Sequence, residues 1–256
     1  MNEIDINSDL GEGYGVYRIG DDAAMLDIVT TANVACGFHA GDPMVMRSTI
    51  LAAKARGVAI GAHPSFMDLH GFGRRRFSNE DPEELEAQLV YQIAAIDGMA
   101  RSLGWPITHM KTHGALGNVA AEEPVIAEIC VRAVKAVNPD LIFIALPYAE
   151  TAKAAEKAGL TVALEVYADR TYADDGMLTP RNVEGAVITD PKRSADQALT
   201  MIRDGVIPTT SGGRLPVEPA TICVHGDSPG AASTARMLRE TLEAEGILVR
   251  AMRLPG

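Results

Sequence analysis

Short apolar runs of strand length alternate with longer runs of helical length from one end of this 256-residue chain to the other, and that alternation limits the fold more than any other feature. Ile4–Leu10 switches between apolar and polar residues, as a strand with two unlike faces does. Thr31–Gly37 reads as a second strand. It runs into Asp42-Pro43, a capping side chain followed by a residue whose fixed φ suits a first helical turn. The helix that follows covers Met44–Arg56 and stops at Gly57. Val58–Ala62, Ile107–Thr112, Leu141–Leu146, Thr161–Tyr167 and Ala220–Val224 read as further strands. Between them fall a helix from Asp81-Pro82 to about Gly104, then Pro124–Val137, Ala149–Lys157, Ser194–Arg203 and Ala231–Glu245. Gly185–Thr189 is a weaker candidate for an eighth strand. The pattern amounts to about seven βα units, which build parallel sheets.

A chain of this length fills one α/β barrel, and neither a linker-like stretch nor an internal repeat divides it. A single domain over 1–256 is therefore expected. The formal net charge of −11 argues against nucleic acid and anionic membranes as partners; Arg74, Arg75 and Arg76 form the one dense basic cluster. No apolar stretch approaches the roughly 20 residues of a membrane span. Residues Met1 to Asp5 lack the basic and apolar regions of a signal peptide. Cys36, Cys130 and Cys223 are widely spaced and form no CxxC pair, which fits a reducing compartment. A cytoplasmic protein is expected, with a homo-oligomer left open.

A closed barrel and a doubly wound open sheet both satisfy the alternation, and the polar residues decide between them. Side chains two apart on a strand share a face. At that spacing the first strand offers Asn7 and Asp9, and the fourth offers His109, Lys111 and His113. A later strand offers Glu165, Tyr167 and Asp169, and the last offers Cys223, His225 and Asp227. His63 closes the third strand; Asn33, Cys36 and His39 follow the second. Any one of these could be a hydrogen-bonded structural group. Coincidence at five or six strand ends points instead to a parallel (β/α) barrel with a site at its C-terminal mouth, because the crevice of an open sheet draws on fewer strands.

Several other chemistries find no support. Gly11-Glu12-Gly13-Tyr14-Gly15 misses the dinucleotide spacing and reads as a turn beside Asp9. No P-loop and no G-x-S-x-G elbow occurs, so any ATP is not held by a P-loop in this chain. Cys36 and Cys223 read as packing residues before nucleophiles. The arginines after Gly71-Phe72-Gly73 either grip a carboxylate or phosphate or pair with the excess acids. Asp9, His39, His63 and His113 are types that bind a divalent metal, but they lie on different strands, so no local ligand spacing supports one.

Longer motifs carry a resemblance. Residues Asp5 to Glu12 (DINSDLGE), Asn33 to Pro43 (NVACGFHAGDP), Gly61-Ala62-His63-Pro64 and Gly71-Phe72-Gly73-Arg74-Arg75 are similar to the LamB/YcsF lactam-utilization family. Lys111 to Leu116 (KTHGAL), Glu165 to Arg170 (EVYADR) and Val224-His225-Gly226-Asp227 continue the likeness over nearly the whole chain. The chain departs from the family at Thr112, where proline is usual, at Gly117, where tyrosine is, and at Ser8, where cysteine is common, while Lys111, His113 and Asn118 are kept. The missing ring at Gly117 bears on substrate fit. The resemblance implies a distorted (β/α) barrel of about seven strands related to glycoside hydrolase/deacetylase barrels. It also implies ATP-dependent ring opening of 5-oxoproline to glutamate, carried out with two partner subunits, B and C.

On that reading, Asp9 or His113 is the base for water, and Lys111 stabilises charge on oxygen. Arg170 or the Arg74–Arg75 pair holds the substrate carboxylate. Glu165, Asp169, His225 and Asp227 orient these groups or move protons, and Asn7, Glu12, Asn33, His39 and His63 complete the substrate pocket. Two competing readings are a stand-alone metal-dependent amide or carbohydrate hydrolase or deacetylase, and a non-catalytic protein that binds a small acidic metabolite.

Overall fold

The computed structural model describes residues 3–77, 80–226 and 230–252. In chain order the elements begin with β1 (Glu3–Leu10), α1 (Asp22–Leu26), β2 (Thr31–Ala35), α2 (Pro43–Arg56), β3 (Ala59–His63) and α3 (Pro82–Ser102). Next come β4 (His109–Lys111), α4 (Gly114–Glu122), α5 (Pro124–Val137), β5 (Ile142–Ala145), α6 (Glu150–Lys157), β6 (Val162–Tyr167) and α7 (Pro191–Arg203). A hairpin of β7 (Val206–Pro208) and β8 (Arg214–Pro216) precedes β9 (Thr221–Cys223), α8 (Ala231–Ala244) and β10 (Leu248–Val249).

Strands β1 to β6 pair in sequence, all parallel, and β6 then pairs with β9. β9 returns to β1, with Asp5 opposite Thr221 and Asn7 opposite Cys223, so seven strands close a ring. β10 lies outside that ring and pairs with Glu3 and Ile4. The helices start where the sequence places their caps. Asp42 accepts hydrogen bonds from the Met44 and Val45 N–H groups, and Asp81 does the same for Glu83 and Glu84. Leu85, Leu89, Ile93 and Ile96 turn the inner face of α3 onto the barrel at helical spacing.

The expected closed parallel barrel is present, but Gly185–Thr189 is not a strand of it. Val187 makes a single antiparallel bridge to Arg170, and the segment around it is a loop tied to Asp169 and Thr171 through backbone hydrogen bonds. Sequence patterning also missed α4 and the β7–β8 hairpin. The α4 stretch GALGNVAAE is mostly small residues, with Leu116 and Val119 the larger ones it buries, and the hairpin strands are only three residues each.

The lumen explains the alternation in β1. Ile4, Ile6 and Leu10 belong to the apolar core, whereas Asp5, Asn7 and Asp9, on the opposite face, join the polar groups inside the ring. Barrels are ordinarily filled by branched aliphatic side chains; this one holds a network of hydrogen-bonded polar groups beside a small apolar cluster of Ile142, Ile144 and Ala163. Asp5 accepts hydrogen bonds from the hydroxyls of Thr30 and Thr31, both at 2.6 Å, and of Thr221 at 2.5 Å. Above it, Asn7 Nδ2 donates to Thr221 Oγ1 at 2.7 Å and to Glu165 Oε1 at 2.9 Å. Asn33 Nδ2 donates to Asn7 Oδ1 at 2.8 Å and to Asp9 Oδ1 at 2.9 Å, which leaves its Oδ1 to accept from His109 Nε2 at 2.9 Å. That fixes the His109 tautomer: Nε2 carries the proton, and Nδ1 accepts from the Thr108 hydroxyl at 3.0 Å. Gly61 is required opposite it, because a Cβ there would overlap the His109 ring.

Burial pushes the Asp5 carboxyl up to about 6, against three threonine hydroxyls that pull it down. Folding therefore favours the protonated acid. The stability Asp5 contributes is complete below the ordinary carboxylate range and is lost as pH rises through about 6. Denaturant titrations from pH 4 to 7 should show a decline on the order of 1–3 kcal/mol that disappears in Asp5→Asn; an equal slope in the variant would refute this assignment.

Candidate active site

At the C-terminal end of the ring a cavity of about 560 Å³ opens among Asp9, His63, Lys111, His113, Glu165, Tyr167, Arg170 and His225. Five strands, or the turns that follow them, supply these groups. Among the residues named from sequence, Asn7 and Asn33 lie buried in the lumen below, and Glu12 and Arg74 line the cavity wall. Asp227 lies outside the described residues. Thr112 and Gly117 both line the cavity, and Gly117 offers only backbone there.

Lys111 stands at the centre and is almost fully buried. Its Nζ is 2.8 Å from Glu165 Oε1 and 3.3 Å from Asp9 Oδ1; it also donates to Asn7 Oδ1 at 3.3 Å and to Cys223 Sγ at 3.1 Å. The Tyr167 ring lies beneath it, 5.1 Å from the ammonium to the ring centroid. Burial opposes the charge, but Asp9 and the other acidic neighbours more than reverse this and hold Lys111 well above the usual lysine range. It is a fixed cation, suited to an oxyanion and unsuited to proton abstraction.

Two carboxylate–imidazole arrangements flank the lysine. On one side Asp9 Oδ1 is 3.3 Å from His63 Nε2, and burial is outweighed by His63 and Lys111, so Asp9 stays ionised well below its ordinary range. A carboxylate held that low is a poor base. His63 Nδ1 meets the Lys111 carbonyl at 2.8 Å, and His113 Nε2 meets the Phe72 carbonyl at 2.9 Å. Burial first, and then His63, push His113 down to about 3, so its ring is neutral at pH 7. His39 stacks on His113, with ring centroids 3.8 Å apart, and Glu12 Oε1 is 3.6 Å from His39 Nε2. Burial, then His113 and His63, hold His39 well below the imidazole range. Asp9, His63 and His113 each bring one ligand atom within 4.8 Å of the others, and so do Glu12, His39 and His113. Both groups could hold a divalent ion.

On the other side Asp169 Oδ2 accepts from His225 Nδ1 at 2.7 Å, and His225 Nε2 lies 2.8 Å from Arg181 Nη2. A guanidinium can only donate, so Nε2 is the acceptor and the imidazole proton sits on Nδ1. Burial raises the Asp169 carboxyl, but His225 beside it prevails and keeps it below the carboxylate range. The imidazole at the cavity wall is thus oriented by a buried carboxylate, with Nε2 turned to Arg181.

The arginines divide. The Arg74 guanidinium lies over the Phe72 ring, 5.0 Å from its centroid, at the cavity wall. Arg75 turns away to Asp68, and Arg76 pairs with Glu122 and Glu123. Arg170 is buried and donates to the carbonyls of Thr179 (2.6 Å) and Ala186 (3.3 Å), which pins the loop over the mouth. It reaches the cavity as part of that loop's support. Sequence patterning missed Arg181, which sits in a turn without periodicity. It also missed Gln92 on α3, whose amide accepts from the Ser65 N–H at 3.0 Å and donates to the Ser65 carbonyl at 2.8 Å, fixing the turn after His63.

A closed parallel barrel with a cation, two imidazole–carboxylate sets and arginines around one cavity at the strand ends defines an enzyme of the (β/α)-barrel class. Residues 4–255 match the LamB/YcsF family, and the chain belongs to it. A protein of Rhodopseudomonas palustris named as the A-subunit of 5-oxoprolinase is 49% identical over 96% of this chain and 97% of its own length. The crystal structure of a lactam utilization protein from Thermus thermophilus superposes with a TM-score of 0.92 at 42% identity, covering 98% of this chain and all of that one. A family 4 carbohydrate esterase from Streptomyces lividans shares the fold, with a TM-score of 0.51 at 9% identity over 98% of this chain and 92% of that chain. Among the described residues no helix is long and apolar enough to cross a membrane.

Because Lys111 and Glu165 neutralise one another inside the barrel, Lys111→Met should destabilise the fold by about 3–5 kcal/mol, leaving buried carboxylates without their cation. Lys111→Met/Glu165→Gln should recover part of that loss in a double-mutant cycle read by chemical denaturation. Strict additivity would show that the two do not interact.

Proposed function

We propose that the chain is the A-subunit of a 5-oxoprolinase and opens the five-membered lactam of 5-oxoproline to L-glutamate, with ATP consumed and the nucleotide handled with or by two partner subunits. Supporting this is the meeting of a fixed cation, an oriented imidazole and cavity-wall arginines in a chain nearly half identical to relatives of that name.

An amide is a poor electrophile because resonance spreads its nitrogen lone pair into the carbonyl. Transfer of a phosphoryl group to the amide oxygen removes that resonance. Water then adds to the ring carbon, the carbon–nitrogen bond breaks with a proton delivered to nitrogen, and a second water releases phosphate from the resulting acyl phosphate. In this chain Lys111 faces the developing negative charge on oxygen. The base for water is His225, because Asp169 orients it and its Nε2 faces the cavity, whereas Asp9 is held too acidic and both His113 nitrogens are directed elsewhere. Arg74 and Arg181, in place of Arg170 and Arg75, receive the substrate carboxylate. Arg181 leaves His225 as it does so, which frees Nε2 when substrate is present. Glu165 and Asn7 hold Lys111 in place, and a divalent cation belongs beside them on the Asp9 side. The reaction is placed in the cytoplasm.

The test is conversion of 5-oxoproline to glutamate by this chain alone and with candidate partner subunits, with and without ATP. Turnover should require both ATP and partners. His225→Asn should lower kcat by about 10²–10⁴-fold while the protein stays folded, and Arg181→Met should raise KM for 5-oxoproline more than it lowers kcat. Near-normal kcat in His225→Asn would remove the base assignment, and no glutamate under any condition would remove the reading.

A further inference from the structure

We infer that Asp9 Oδ1, His63 Nε2 and His113 Nδ1 form a binding site for one divalent transition-metal ion of the zinc class. The argument starts from protons. The Lys111 carbonyl can only accept, so the His63 ring proton sits on Nδ1; by the same reasoning the Phe72 carbonyl places the His113 proton on Nε2. The remaining nitrogens, His63 Nε2 and His113 Nδ1, face each other at 3.1 Å, and His63 Nε2 also faces Asp9 Oδ1 at 3.3 Å. Three ligand atoms meet at one point inside the protein, where a bound ion and a second proton on His63 Nε2 are alternatives.

Their spacing is that of a coordination shell. Two ligand atoms each about 2.1 Å from a tetrahedral ion stand about 3.4 Å apart. Two of the three edges, at 3.1 and 3.3 Å, match this, and the third is no longer than 4.8 Å. Imidazoles that ligate metal almost always donate their other N–H to a carbonyl or carboxylate, which both of these do.

Backbone strain also supports the arrangement. Among the described residues Phe72 is one of two non-glycine positions with positive φ (56°), and Gly73 follows at 63°. This left-handed pair carries the Phe72 carbonyl that receives the His113 proton, and any Cβ at Gly73 would strike Ser65, His113 and His39. A second, independent observation comes from His39. It is fully buried, stacked on His113, and neither of its ring nitrogens has a hydrogen-bond partner. Glu12, His39 and His113 form a second group of ligand spacing that shares His113. At this depth the His39 ring has the Glu12 carboxylate beside Nε2 at 3.6 Å but no hydrogen bond, which leaves a donor atom available at the edge of the site. When bound, such an ion supplies Lewis acidity toward a carbonyl or water. The inference does not depend on which amide is opened, since metal binding is read without turnover.

The experiment titrates chelator-treated, folded protein with Co²⁺, followed by visible absorption, and with Zn²⁺, followed by calorimetry and the thermal midpoint. One ion per chain is expected, with ligand-field bands of low coordination number and a raised midpoint. His63→Gln and His113→Gln, checked for folding by circular dichroism, should each weaken binding by at least about 100-fold, while His70→Ala, an exposed histidine, should bind as wild type does. Substoichiometric binding, or binding unchanged in both glutamine variants, would overturn the site. So would imidazole ¹⁵N spectra showing a proton held between His63 and His113 that Zn²⁺ does not displace.

Discussion

One buried ammonium organises the interior of this protein. Lys111 projects from a three-residue strand into a lumen of acids, amides and a thiol, and every neighbouring polar group is placed with respect to it. An isolated charge at that depth would cost more than a domain can spare. The lysine is tolerable because Asp9 and Glu165 are there, and they are tolerable because it is. On the proposed reading the same balance serves catalysis, since a cation already desolvated and fixed by its partners needs no reorganisation when negative charge develops on a nearby oxygen.

The two sides of the cavity divide the work that one residue set cannot do at once. Asp9, His63 and His113 form the side where the two imidazoles have their protons locked outward on backbone carbonyls and their lone pairs turned inward. On the other side Asp169 orients a single imidazole, His225, through Nδ1, and Arg181 meets its Nε2. Left-handed backbone at Phe72 and Gly73, the Gln92 clamp on Ser65 and the Arg170 loop ties all serve to hold these orientations. The residues they hold lie at strand ends and on loops, where binding groups in barrels collect.

How much of this was legible in the sequence follows from the range of each interaction. Strands and most helices were readable because caps such as Asp42-Pro43 and Asp81-Pro82 act within a few residues, and because β1 alternates where one face meets helices and the other the lumen. The gathering of Asp9, His63, Lys111, His113 and His225 was readable as strand-end placement. What those residues do to one another was not. Nothing local says that Arg75 is taken by Asp68, that Arg170 donates to the carbonyls of a loop over the mouth, or that Arg181 meets a histidine 44 positions away. The helix α4 and the Gly185–Thr189 loop were misjudged because tertiary contacts decide both: α4 buries mostly alanines, and the loop alternates like a strand, with Ala186 and Ile188 buried, but bridges only through Val187.

The ring is closed by its most distant partners. Asp5 and Asn7 on the first strand complete their hydrogen bonds through Thr221 on the last barrel strand, a separation of more than two hundred residues. During synthesis β1 therefore emerges with a carboxyl and an amide that Thr30, Thr31 and Asn33 satisfy only in part, and its other edge stays unsealed until almost the whole chain has left the ribosome. Barrel closure is then a late event of high contact order, and the partly built sheet is the species in which this protein is most exposed to chaperones and to misassociation.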